Sequence, residues 1–129
     1  MASGPLETVR ALDAAFSRGD VDGILGFYED GAAMVVQPGT TAEGKVALRR
    51  AFEGILASFR EPPSIKQLKT HVIEAGDIAL FTSRWSISGT SVDGSIVSRI
   101  GDASSIFRRR GDGSWKLVID NAWGPAVLG

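Results

Sequence analysis

The chain offers few groups that titrate near neutral pH or ligate a soft metal. Among its 129 residues there is a single histidine, His71, and no cysteine. The missing thiols exclude a cysteine nucleophile, a cysteine-ligated zinc, an iron–sulfur cluster and a disulfide scaffold. A lone histidine excludes any site built on two histidines of one chain, yet it still permits one general base near neutral pH. The other residues able to do chemistry are amides and aromatics. Asn121 is the only asparagine; its amide either orients a ligand carbonyl or hydroxyl, or satisfies backbone at a strand end. Trp85 and Trp123 are either a platform for a ligand or part of the sheet core. Tyr28 ends an apolar stripe, with its hydroxyl expected at solvent or at a pocket mouth. The run Arg108-Arg109-Arg110 reads as a solvated hairpin edge, because 14 Lys+Arg against 15 Asp+Glu leave a net charge of −1 and no footprint for nucleic acid. There is no phosphate loop, dinucleotide fingerprint or calcium-type carboxylate spacing, and no cofactor or metal is expected.

The length fits one domain, residues 1–129. Met1-Ala2-Ser3-Gly4-Pro5 has neither a basic nor an apolar leader segment, no apolar run reaches a membrane span, and a cytoplasmic location is the expectation. Leu6, Val9, Leu12, Ala15 and Phe16 recur at helical spacing over residues 6–18, with Glu7, Arg10 and Asp13 between them. Gly19 ends that helix and Asp20 caps a shorter one carrying Val21, Ile24, Leu25 and Tyr28. Met34-Val35-Val36 reads as a short strand closed by Pro38-Gly39. A third helix is predicted over 45–59, entered either by a Thr40–Glu43 capping box or at Gly44, with Pro62-Pro63 as its limit. Strands follow over 65–74, 78–88, 96–109 and 115–123, joined by turns at Ala75-Gly76-Asp77, Val92-Asp93-Gly94-Ser95 and Arg110-Gly111-Asp112-Gly113. Helices first and strands afterwards imply an α+β domain. The third helix is expected to lie over a strongly bent antiparallel sheet, leaving a conical pocket.

Several segments carry a family likeness. They are Ala14-Ala15-Phe16-Ser17-Arg18-Gly19-Asp20-Val21-Asp22-Gly23-Ile24, Phe27-Tyr28-Glu29-Asp30-Gly31-Ala32, Gly44-Lys45-Val46-Ala47-Leu48-Arg49, Ala75-Gly76-Asp77-Ile78-Ala79-Leu80, Asp112-Gly113-Ser114-Trp115-Lys116 and Val118-Ile119-Asp120-Asn121-Ala122-Trp123-Gly124. In this order the chain resembles the nuclear-transport-factor-2-like superfamily, in its ketosteroid-isomerase-homologue and polyketide-cyclase-like (SnoaL-like) branch. The resemblance implies a cystatin-like conical barrel with the pocket inside, commonly a homodimer through the outer sheet face. It also implies relatives that isomerise, cyclise, dehydrate or only bind small molecules. The isomerase uses an Asp base, with a Tyr and a protonated Asp as its oxyanion hole. Aligned on the resemblance, those positions hold Gln37, Leu12 and Ser105, so the isomerase set is replaced.

Strand parity, with the resemblance fixing the concave side, sends Val35 and Gln37, then Phe81, Ser83, Trp85 and Ile87, inward. It does the same for Arg99, Gly101, Ala103, Ser105 and Phe107, and for Ile119, Asn121 and Trp123. The expected ligand-binding set is Gln37, Trp85, Ser105, Asn121, Trp123 and Tyr28, around a small apolar molecule. Asp102 and Asp120 are expected on the opposite face, where Asp102 is either in an ion pair with arginine at a dimer interface or a solvated strand charge. His71 is expected to make ordinary sheet contacts. Ile96, Ile100, Ile106 and Val118 make an apolar outer face suited to a homodimer. Two readings remain open. One is a domain that binds a small apolar molecule without turnover; the other is an isomerase, cyclase or dehydratase with a non-standard polar set. A carboxylate buried at the pocket floor with a shifted pKa would favour the enzyme.

Overall fold

A computed structural model describes residues 4–129; the leader reading at residues 1–3 lies outside them. Helix α1 spans Pro5–Ser17, with proline in its first turn where its missing N–H costs nothing. Asp20 caps α2, Val21–Leu25, by accepting a hydrogen bond from the Gly23 N–H at 2.9 Å. Tyr28 does not extend that helix. It opens strand β1, Tyr28–Gln37, because its ring is drawn into the core against Phe52 on the next helix, centroids 5.8 Å apart. A second difference follows at once. Thr40–Glu43 is a strand, β2, hairpinned onto β1, and Gly44 rather than Thr40 is the entry residue of helix α3, Lys45–Ala57.

The remaining strands are β3 (Ser64–Ala75), β4 (Ile78–Thr90), β5 (Ile96–Arg109) and β6 (Trp115–Asp120). The sheet order is β2-β1-β6-β5-β4-β3. All neighbours are antiparallel except β1 and β6, which run parallel. The expected antiparallel meander is therefore present, widened by β1 and β2. The sheet is bent and open, and α1 as well as α3 covers its concave side. Helix α1 packs on β3, β4 and β6, whereas α3 packs on β1, β2 and α2.

Strand β6 ends at Asp120 rather than continuing to Trp123. The Asn121 side-chain oxygen accepts from the backbone N–H groups of Trp123 and Gly124 at 3.2 and 3.1 Å, which turns the chain. Gly124 sits at φ 53°, and a Cβ there would lie 2.6 Å from the Asp102 carbonyl oxygen. Only glycine fits this turn. A short 3₁₀ turn, Gly124–Leu128, then closes the structure.

The outer face carries a hydrophobic row that follows the strand register. Ile73 pairs with Leu80, Leu80 with Ile106, and Ile106 with Ile119. Ile73 and Ile119 are exposed, as are Ile96 and Ile100. No helix among the described residues is long and apolar enough to cross a membrane.

Candidate functional site

The concave side encloses a cavity of about 360 Å³. Its wall is apolar: Val9, Leu12 and Phe16 from α1, Phe52 and Ile55 from α3, and Phe81, Ala103, Phe107 and Leu117 from the sheet. Burial deepens along β5, from exposed Arg99 to fully buried Phe107, so the cone opens at the Arg99 end. Phe81 and Phe107 meet edge to face at 6.0 Å and form part of its floor.

Into this apolar space project two carboxyl groups, Asp13 and Asp120, with the Tyr28 phenol. Tyr28 is completely buried and its hydroxyl donates to Asp120 Oδ2. Gln67 Nε2 donates to Asp13 Oδ2 at 2.8 Å, while Gln67 Oε1 is buried with no partner. Burial pushes the Asp13 carboxyl up to about 6; the Gln67 bond opposes this and the charge of Asp120 adds to it. Asp120 is also raised by burial, against the Tyr28 and Ser105 hydroxyls that favour its ionised form. Tyr28 is pushed well above the ordinary phenol range, first by burial and then by Asp120 and Asp13. No cation among the described residues forms an ion pair with either acid, and desolvation decides the direction of every shift.

The expected site residues divide. Trp85, Ser105, Trp123 and Tyr28 line the cavity. Tyr28 reaches it from the core rather than from solvent. Trp85 and Trp123 are held by indole N–H bonds to the carbonyls of Ala122 (2.9 Å) and Val36 (3.0 Å). Ser105 Oγ accepts from the Asn121 backbone N–H at 3.1 Å. Gln37 and Asn121 do not line the cavity. Gln37 is exposed, and Asn121 spends its amide on the turn, donating to the Gly124 carbonyl at 3.2 Å. His71 is exposed on β3, away from the cavity.

Asp120, expected outside, is inside, and the cause is a β-bulge. Phe107 pairs with Leu117 but Ile106 pairs with Ile119, leaving Val118 as an extra residue in β6. The extra residue reverses the alternation. Trp115 and Leu117 point inward, Ile119 turns out to 44% exposure, and Asp120 turns in. On β1 the buried positions are Ala32 and Met34, so the inward parity is that of Met34 and Gln37 is exposed. Asp13, a wet residue between apolar ones by its polarity, is also in the cavity. Its signal lay in the helical spacing: it is four residues after Val9 and three before Phe16, both buried. Asp102 takes its expected outer-face position, paired with Arg84 at 2.9 Å. The arginine run is also an edge. Arg108 and Arg110 grip Glu29 at 3.0 and 3.1 Å, and Arg109 pairs with Asp77 at 2.9 Å.

This chain belongs to the SnoaL-like domain family. The family model matches residues 6–120 and so spans α1 through β6. The fold recurs in solved structures. A nuclear transport factor 2 superfamily protein of Salmonella enterica is 14% identical, with a TM-score of 0.82 over 95% of this chain and 89% of its own. A ketosteroid isomerase-like protein of Erwinia carotovora is 20% identical, with a TM-score of 0.75 over 89% and 88%. A proposed dehydratase of the nuclear-transport-factor-2-like family from Streptomyces avermitilis is 24% identical, with a TM-score of 0.74 over 88% of both chains. These likenesses show that the fold is shared. No curated protein matches it.

Proposed function

We propose that the cone is an active site for proton transfer on a small, mostly apolar ring compound, in an isomerisation or a dehydration. The observation that carries this reading is the pair of half-buried carboxyl groups lining an apolar cavity, with Asp13 raised to about 6. A base with that pKa is ionised at neutral pH yet remains strong enough to take a proton from carbon next to a carbonyl. Asp120, kept towards its neutral form by burial, donates a hydrogen bond to the substrate oxygen, and Tyr28 fixes its orientation. In an isomerisation Asp13 returns the proton to a different carbon. In a dehydration the leaving hydroxide departs with the proton of Asp120 as water. Gln67 holds the Asp13 carboxyl in place while this happens.

A carrier that binds without turnover uses the apolar wall but gives the two acids no task. Burying ionisable groups without a cation costs stability, which speaks for a use. The name of the Streptomyces structure, a proposed dehydratase, is consistent with the catalytic reading. The test is hydrogen–deuterium exchange at the α-carbons of a bicyclic ring ketone such as 2-tetralone in D₂O, followed by proton NMR. The expected result is exchange well above the buffer rate, rising as pH passes through about 6. No acceleration across ring ketones that demonstrably bind would leave the carrier reading.

We also propose that two copies pair through the outer sheet face. The row Ile73–Leu80–Ile106–Ile119, with exposed Ile100 beyond it, supports this. Sedimentation velocity should give a dimer, and a monomer at high micromolar concentration would end the idea.

A further inference from the structure

Arg99 lies at the open end of the cone and differs from the other arginines of the sheet. Arg84, Arg108, Arg109 and Arg110 each pair with a carboxylate. The Arg99 guanidinium has no such partner among the described residues. It lies instead over two indoles, 4.6 Å from the Trp123 ring centroid and 5.9 Å from that of Trp85. Both rings are pinned by their N–H bonds to Val36 and Ala122. Trp85 also depends on Gly101 opposite it, where a Cβ would come within 2.9 Å of the ring. The aromatic platform is therefore rigid, and a guanidinium stacked on it keeps its N–H edge free. Such an edge suits a planar carboxylate, which it can bind through two parallel bonds. Arg99 lines the same cavity as Asp13 and Asp120.

We propose that Arg99 determines specificity by binding a carboxylate at the mouth of the cone, so that the ligand is a ring compound bearing a carboxyl group. The ring enters the apolar wall, and the carboxylate stays at the mouth beside the indoles. Asp13, ionised at neutral pH, repels an anion directed inward, so the charge that serves the ring end also orients the ligand. This rests on the cone being the ligand site, but not on any reaction taking place there.

The test compares 2-naphthoate with its uncharged analogue 2-naphthalenemethanol. Binding is measured by calorimetry and by quenching of tryptophan fluorescence. The unmodified protein should bind the naphthoate about tenfold more tightly. Arg99→Gln should abolish that preference, bringing the two probes to equal affinity. Arg84→Gln, which removes the same charge on the outer face, should leave the preference intact. Equal binding of the two probes, loss of the preference in Arg84→Gln to the same extent, or binding of neither probe would overturn the proposal. If the carboxylate preference holds and ring ketones show no exchange, only the catalytic reading falls.

Discussion

Asp102 and Asp120 both belong to the sheet and meet opposite fates. Asp102, on the outer face, pairs with Arg84 at 2.9 Å, and its carboxyl is held below the usual carboxylate range. Asp120 enters the cone, meets hydroxyls rather than a cation, and is raised by burial. The residue type is the same, and the surroundings reverse the direction of the shift. An outer-face carboxylate can stay ionised in water at almost no cost. One inside an apolar cavity carries a desolvation penalty that a purely structural residue would have no reason to bear. The contrast separates acids that decorate the sheet from acids that can exchange protons.

The largest effect expected from this difference is on catalysis. Asp120→Asn keeps the shape of the side chain and an acceptor for Tyr28, but removes the proton that Asp120 would give. In the ring-ketone exchange assay it should cost on the order of 10² to 10⁴ in rate. Asp102→Asn should leave the rate within about twofold, since an outer-face ion pair has no part in proton transfer. Equal losses in the two variants would show that the cone and the outer face are not functionally distinct.

The next effect is on stability, and it has a definite sign. Asp13 rises from 3.8 to about 6 on folding. A carboxyl raised in this way contributes stability that is fully present below pH 3.8 and lost as pH rises through about 6. At about 1.4 kcal/mol per unit, the loss is about 3 kcal/mol. Asp13→Asn does not titrate, and its side-chain oxygen can still accept from Gln67. It should match the unmodified protein near pH 3.5 and exceed it by up to about 3 kcal/mol at pH 8. Urea denaturation across that range reads the difference directly. A gap that does not vary with pH would mean that Asp13 is not held neutral by burial.

The architecture and half of the site are legible in the sequence, and the division has a physical pattern. Parity works along unbroken ladders: β4 and β5 pair residue for residue from Ile78↔Arg108 to Thr90↔Ile96. Trp85 and Ser105 consequently lie in the cavity where alternation puts them. It fails at the β6 bulge, where one extra residue reverses the alternation. Val118 turns Asp120 in, whereas on β1 the buried Ala32 and Met34 set the phase and leave Gln37 facing out. Nothing in Leu117-Val118-Ile119 marks a bulge, because bulges are set by pairing across strands rather than by the residue itself. Asp13 is different. Its place between Val9 and Phe16 on the buried stripe of α1 is readable from spacing alone, but polarity argues for solvent and hides it.

The smallest effect expected is at the outer ion pair itself. Arg84 and Asp102 are both about half exposed, with side-chain accessibilities of 59% and 46%. Water screens their attraction, and both side chains lose freedom to make it. A double-mutant cycle with Arg84→Ala and Asp102→Ala should therefore give a coupling worth no more than about a few degrees in Tm, shrinking as salt is added. The contact is bidentate, with a second nitrogen at 3.4 Å, so the coupling should be small but measurable at low salt. A coupling that is large and indifferent to salt would mean that the pair is desolvated in solution. In a chain whose outer row is apolar, the cause would be a second copy covering the sheet, and the coupling should then fall on dilution to the monomer.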